Sequence, residues 1–393
     1  MSIRIRMFGI ALLLLFTLPP PHAVAEGESL DEKVVRTQLD QLQVEKVESF
    51  WKELKKEYGR FFPEKQGDLF DLVLSKGEKG FSWKGLIRGF SKYFFHEVLY
   101  NARLLGTIIV LTVFSMILRT LQTAFERNQV SKIAYAIVFM VIIILAVDSF
   151  SVAVDAAKEA ISRMLHFMLA LLPLVLTLLA SMGNVGSVGI FHPLIVLMIH
   201  LIGTLIHTIV FPVLFFSAIL GIVSCLSDKY KVNQLASLFR KIGVGLMGTL
   251  LTVFLGIVSV QGATAAVADG VTIRTAKYIT GNFIPVVGRM FSDAADTVVG
   301  ASLLVKNAVG MVGVLILLLI VAFPALKILS LALVYSFSAA VMQPLGNSPI
   351  IECLSIISKT LIYIFAAMAT VGLMFFLAIT IIVASGNISV MIR

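Results

Sequence analysis

Two carboxylates three residues apart, Asp293 and Asp296, stand in the oily stretch GNFIPVVGRMFSDAADTVVGASLLVKNAVG, residues 281–310. Asp293 suits a helix N-cap, and Asp296 can return a capping bond. Before them Gly281 and Gly288 flank Pro285, and Gly300 follows. This order predicts a short half-helix, a break at Gly288–Ser292 and a second half-helix. Irregular backbone at membrane depth persists only where it is buried in protein or lines water. Two readings fit: a re-entrant element facing a cavity or pore, and an interfacial loop-helix with ordinary caps.

Other polar groups in apolar surroundings are few. Asp148 ends the run AYAIVFMVIIILAVD. An intramembrane carboxylate there would be functional, whereas one at a span end would meet the headgroups. His192, His200 and His207 share an arc of about 80° on a helix, and residues seven apart lie about 10.5 Å apart along its axis. That is too far for one metal ion without further ligands, so helix–helix hydrogen bonding is the simpler role. Gly248, Thr252 and Gly256, four apart, read as a close helix-packing face.

Several enzyme signatures fail on context. Gly243-Val244-Gly245-Leu246-Met247-Gly248 fits G-x-G-x-x-G but lies in an apolar run, not after a strand. His96-Glu97 begins H-E-x-x-H, yet Tyr100 holds the last position. No G-x-x-x-x-G-K-[ST] and no G-x-S-x-G occurs. No enzyme, cofactor or metal is expected.

The elements that must position these residues are membrane helices. Hydrophobic residues make up 58% of the chain and charged ones 14%, against about 25% charged in soluble domains. Apolar runs cover 102–122, 133–154, 164–182, 190–227, 242–262, 308–342 and 360–384. A helix through 190–227 would be about 57 Å long, so this run and 308–342 are expected to split near Pro212 and Pro324. The fold class predicted is all-α and polytopic, with about seven to nine spans and re-entrant half-helices. Phe211-Pro212 and Phe323-Pro324 lie 112 residues apart, as do Pro173 and Pro285, which suggests an internal repeat.

The chain opens with Arg4 and Arg6, an apolar run and Ala23-Val24-Ala25, the pattern of a signal peptide over residues 1–25. Residues 26–101 then form an exported amphipathic helical region, and 102–393 the membrane domain. Within the exported part, Trp83, Ile87, Phe90, Phe94 and Val98 form a stripe beside Lys84, Arg88 and Lys92. Such a helix either lies in the headgroup layer or packs on its own protein. Residues 26–103 hold 14 of the 23 acids and 14 of the 32 basic residues, so the membrane part carries the positive excess. Its basic loops are expected on the cytoplasmic side, and no basic face suited to nucleic acid stands clear of the membrane. The only cysteines, Cys225 and Cys353, lie in or beside apolar runs.

The signal sequence, the short charged exported region, the many spans and above all residues 281–310 resemble the stage III sporulation protein AE family of endospore-forming Firmicutes. The resemblance implies a multi-pass protein of the mother-cell (outer forespore) membrane, with its N-terminal region in the intermembrane space. It implies partners: other stage III sporulation A-operon membrane proteins, a separate ATPase among them, and forespore stage II sporulation protein Q indirectly. The function implied is a channel or export-gate subunit of a secretion-like complex. The family supplies no catalytic residues. A small-solute permease and a non-conducting assembly scaffold are the competing readings.

Overall fold

The computed structural model describes residues 44–62, 83–124, 129–226, 232–283, 287–345 and 348–392. The expected leader, residues 1–25, lies outside them. Among the described residues the chain is helical, without strands. Hydrocarbon offers backbone groups no partners, so each spanning segment must satisfy its own hydrogen bonds.

The helices are α1 (Val44–Tyr58), α2 (Trp83–Tyr100), α3 (Ala102–Ala124), α4 (Gln129–Ser181), α5 (Val185–Leu205), α6 (Phe211–Leu226), α7 (Asn233–Phe283), α8 (Val287–Met342) and α9 (Pro349–Ile392). A short 3-10 turn, Gly59–Phe61, follows α1, and a π-helical turn, Ile206–Val210, joins α5 to α6. Six helical segments are long and apolar enough to cross a membrane: 84–118, 130–181, 185–225, 233–275, 296–342 and 349–389.

The polytopic all-α fold is as expected, but the helices are fewer and longer than the apolar runs. Runs 133–154 and 164–182 belong to one helix of 53 residues. The polar residues between them are helix formers, and Glu159 and Arg163 pair at i,i+4 spacing (2.7 Å). Run 308–342 does not split at Pro324, which sits inside α8. Run 190–227 does not split at Pro212 either. A proline ring strikes the carbonyl four residues back, here that of Thr208. The π-helical turn that contains Thr208 widens the ladder just before Pro212, and the helix continues.

α8 and α9 form the most extensive pair, with α4 against both and α7 against α9. Between apolar helices in lipid, close van der Waals packing replaces the hydrophobic driving force. Glycines make the closest approaches. A Cβ on Gly313 of α8 would lie 2.6 Å from Leu171 of α4, one on Gly372 of α9 2.7 Å from Val321 of α8, and one on Gly262 of α7 2.7 Å from Ile381 of α9. Gly248 and Gly256 have nothing within 4 Å of an added Cβ, and Thr252 is exposed and bonded to its own helix at the Gly248 carbonyl. The predicted packing face is therefore open among the described residues.

α1 and α2 pack on the bundle rather than lying free of it. α2 turns Leu86, Phe90 and Tyr93 inward and leaves Ile87, Phe95 and Leu99 exposed. It crosses the turn after α1 at Gly89, where a Cβ would fall on the Phe61 carbonyl. Asn101 keeps the backbone ladder unbroken into α3, taking the Glu97 carbonyl and giving its own to Leu105.

Candidate functional site

The stretch 281–310 delivers a charge to the interior. Lys306 of α8 is fully buried, beside the fully buried Ser302 and Val305. Its ammonium donates to the Val383 carbonyl (2.8 Å) and to Asn387 Oδ1 (2.6 Å), both on α9. Gly386 makes the room, since a Cβ there would lie 2.6 Å from Lys306 Nζ. No carboxylate of a described residue pairs with this ammonium. A lysine at mid-membrane costs about 2.5–3.5 kcal/mol on insertion scales. Two hydrogen bonds to a charged group return about 1.5–3 kcal/mol each. The group is thus tolerated with little net gain.

Two further polar contacts tie helices together near Lys306. α4 ends in a tight turn with Gly183 at φ 85°, where the Gly183 amide reaches the Ala180 carbonyl and the Asn184 amide the Leu179 carbonyl. This is a Schellman closure, which needs the left-handed conformation that glycine adopts without strain. It seats Asn184, 1% exposed, to accept from Ser389 of α9 (2.8 Å). Asp269 of α7 accepts from the Ser187 amide in the first turn of α5 (3.0 Å), where a carboxylate complements the helix dipole. Gly186 leaves space for that carboxylate. Five helices, α4, α5, α7, α8 and α9, are joined through these groups.

A second cluster lies at the middle of α4. Arg163 bridges Glu57 (2.6 Å) and Glu53 (3.9 Å) of α1 and Glu159 of its own helix. Beside it Tyr58 stacks on Phe323 of α8, with centroids 3.9 Å apart and planes at 3°. Phe62, Phe90 and Tyr93 meet the same ring edge-on. Burial, and then the bond to Glu57, push the Tyr58 phenol above its ordinary range, so it stays a neutral ring. This cluster fastens α1 and α2 to the bundle beside Pro324.

The sequence candidates are spread along the molecule. α8 begins at Val287 and runs through Gly288, Ser292 and Asp293, so there is no break at Gly288–Ser292 and Asp293 lies inside the helix. Gly281 lies in the last turn of α7, and Pro285 falls outside the described residues. Asp296 and Gly300 are exposed on α8. Asp148 is exposed too, beside Ser149, which accepts from Tyr335 (2.8 Å). His200 and His207 line one groove of about 340 Å³ between α4 and α5, joined by His166 of α4. His200 Nδ1 donates to the Val196 carbonyl of its own helix (2.9 Å) rather than across to another. His192 is exposed on α5. Among the described residues no cluster of three His, Cys, Asp or Glu side chains could hold a metal ion.

Sequence reasoning passed over Lys306, Asn184, Asp269 and Asn387. A signal for Lys306 existed: it shares a helix face with Ser302, Val309 and Gly313, which puts it on the packed side.

These observations define a polytopic helical membrane protein whose interior is joined by a small polar network around a buried lysine. The chain belongs to the stage III sporulation protein AE family, which matches residues 65–386. It is 53% identical over 368 residues to the stage III sporulation protein AE of Bacillus subtilis (strain 168), covering 93% of this chain and 92% of that one. No solved structure matches. Membership gives the chain a role in sporulation, exercised from a membrane, in a family not known for enzymes.

Proposed function

We propose that the chain is a channel or export-gate subunit of a complex joining mother cell and forespore, set in the mother-cell (outer forespore) membrane. Residues 26–101 then lie in the intermembrane space, after removal of residues 1–25. The other stage III sporulation A-operon membrane proteins are its partners, with the ATPase supplying energy and stage II sporulation protein Q met indirectly from the forespore. The observation that carries the reading is Lys306: a buried ammonium that contributes little to stability is retained for function, and intramembrane ionisable groups serve conduction and coupling. The segment 281–300, with Gly281, Pro285, Gly288, Asp293, Asp296 and Gly300, is assigned to the path or its gate.

The test is complementation of a Bacillus subtilis strain lacking its own stage III sporulation protein AE. The Asp293→Asn/Asp296→Asn variant is expected to co-purify with the other subunits yet fail to support a late forespore reporter. Normal reporter activity with normal assembly would favour the scaffold. Uptake of a solute by the chain expressed without its partners would favour the permease.

A further inference from the structure

α8 carries a weak point near its middle. Pro324 has no N–H for the Ile320 carbonyl, and its ring presses on that group, yet the helix runs on through it. α9 holds one flank of this turn closely, since a Cβ on Gly372 would lie 2.7 Å from Val321. The flank toward α1 is looser. A polar hollow of about 70 Å³ opens there beside Pro324 and Lys327, bounded by Glu57 and Tyr58 of α1 and by Glu159 and Arg163 of α4. What closes this flank is Phe323, one residue before the proline and 1% exposed. Tyr58 stacks on its ring, and Phe62, Phe90 and Tyr93 meet it edge-on at 5.8, 5.6 and 5.0 Å. Rings from α1, the turn after it and α2 thus converge on one side chain of α8.

We infer that α1 and α2 form a releasable clamp over a hinge in α8: seated, they keep α8 one helix through Pro324, and unseated they let it bend there. Sharp helix kinks fall at prolines. With a backbone bond missing, restraint at that turn comes from packing, which the four rings supply, while the hollow leaves room to move. Phe323 adjoins the proline, so a lost ring is felt within one turn of it. The clamp is also lightly latched. The Arg163 pairs to Glu53 and Glu57 of α1 are part-exposed, and such pairs contribute little. The clamp rests on this geometry alone. Its use rests on the channel reading, in which movement of α1 and α2 reaches the helix that carries Lys306, about 27 Å further along.

Hydrogen exchange at the amides of residues 321–328 is followed by mass spectrometry in the detergent-solubilised full chain. The proteins compared are wild type, Tyr58→Ala, Pro324→Ala and the double variant. Tyr58→Ala should speed exchange there about tenfold, as the loss of one aromatic pair and its buried area would. Pro324→Ala restores the backbone donor, so the double variant should exchange as slowly as Pro324→Ala alone. No acceleration in Tyr58→Ala overturns the clamp. Acceleration that persists beside Pro324→Ala also overturns it, because lost packing then loosens α8 without a hinge. Should Tyr58→Ala fail to fold, Arg163→Glu, which repels α1 by charge, is read in the same way, with Glu57→Arg restoring slow exchange. The forespore reporter is scored for the same variants. Faster exchange with an undisturbed reporter keeps the clamp and removes its part in the channel, so the two failures are distinguishable.

Discussion

Lys306→Met removes the buried charge while keeping the length of the side chain. The wild-type ammonium loses several kcal/mol on leaving water and recovers about 1.5–3 kcal/mol from each of two bonds, those to Val383 and Asn387. The two sums nearly cancel. The variant also leaves Asn387 Oδ1 without its donor, which costs about 1–3 kcal/mol. The net expectation is a loss of about 1–3 kcal/mol, and Lys306→Met/Asn387→Leu should recover it. Thermal unfolding of the detergent-solubilised chain and its abundance in membranes check this directly. The reporter should nonetheless fall to background in both variants. A variant that folds normally and supports a full reporter would refute the reasoning, since the charge would then serve nothing. A loss of stability beyond about 5 kcal/mol would refute it in the other direction, by showing that Lys306 is a structural clamp whose removal leaves a large defect.

Reversal of Arg163 to Glu sets it against Glu53, Glu57 and Glu159, so limited proteolysis at α1 should increase. The part-exposed pairs bring the change to about 1 kcal/mol, and Glu57→Arg in the same chain should restore protection. Gly89→Ala drives a Cβ onto the Phe61 backbone, which cannot rotate aside, and should cost about 1–3 kcal/mol as α2 is pushed off, read by the same proteolysis. Cys225 of α6 and Cys353 of α9 are both free and buried, on helices that pack against each other. Treatment with the membrane-permeant oxidant diamide should therefore remove both free thiols at once, whereas each single Cys→Ala variant keeps its remaining thiol; two thiols that persist in the treated wild type would refute the pairing of α6 with α9.

The all-α polytopic fold was legible because apolar runs of membrane length admit no other backbone. Helix ends were not, and the reason is energetic. Hydropathy falls at Asp155, Lys158, Glu159 and Arg163, but these residues suit a helix, and α4 passes straight through them. The same holds at Gly288–Ser292: a glycine costs a helix about 1 kcal/mol, less than backbone groups left unsatisfied in an apolar setting. Four-residue spacing of Gly248, Thr252 and Gly256 showed that a helix could be approached, not that one comes. The glycines that admit neighbours, Gly262, Gly313 and Gly372, are defined by the partner side chain, which spacing does not reveal. Lys306 was passed over because a lone charge in oily sequence carries no signal of burial until its helix face is considered.

Helix length also discriminates among the functions. α8 alone exposes Val298, Leu304 and Met311 toward one end and Leu333, Phe337 and Val341 toward the other, two apolar patches whose far ends lie about 65 Å apart at 1.5 Å per residue. A tilt of 40° shortens its projection only to about 50 Å, against a hydrocarbon core of about 30 Å. One bilayer does not cover that surface, and exposed apolar area of this extent marks contact with other proteins. A permease working alone has no such remainder to hide. A subunit surrounded by other membrane proteins does, and the Gly248–Thr252–Gly256 face on α7 is likewise uncovered among the described residues. The surplus length and the buried Lys306 therefore favour the same reading from independent physics: one concerns what surrounds the bundle, the other what its interior retains at little benefit to stability.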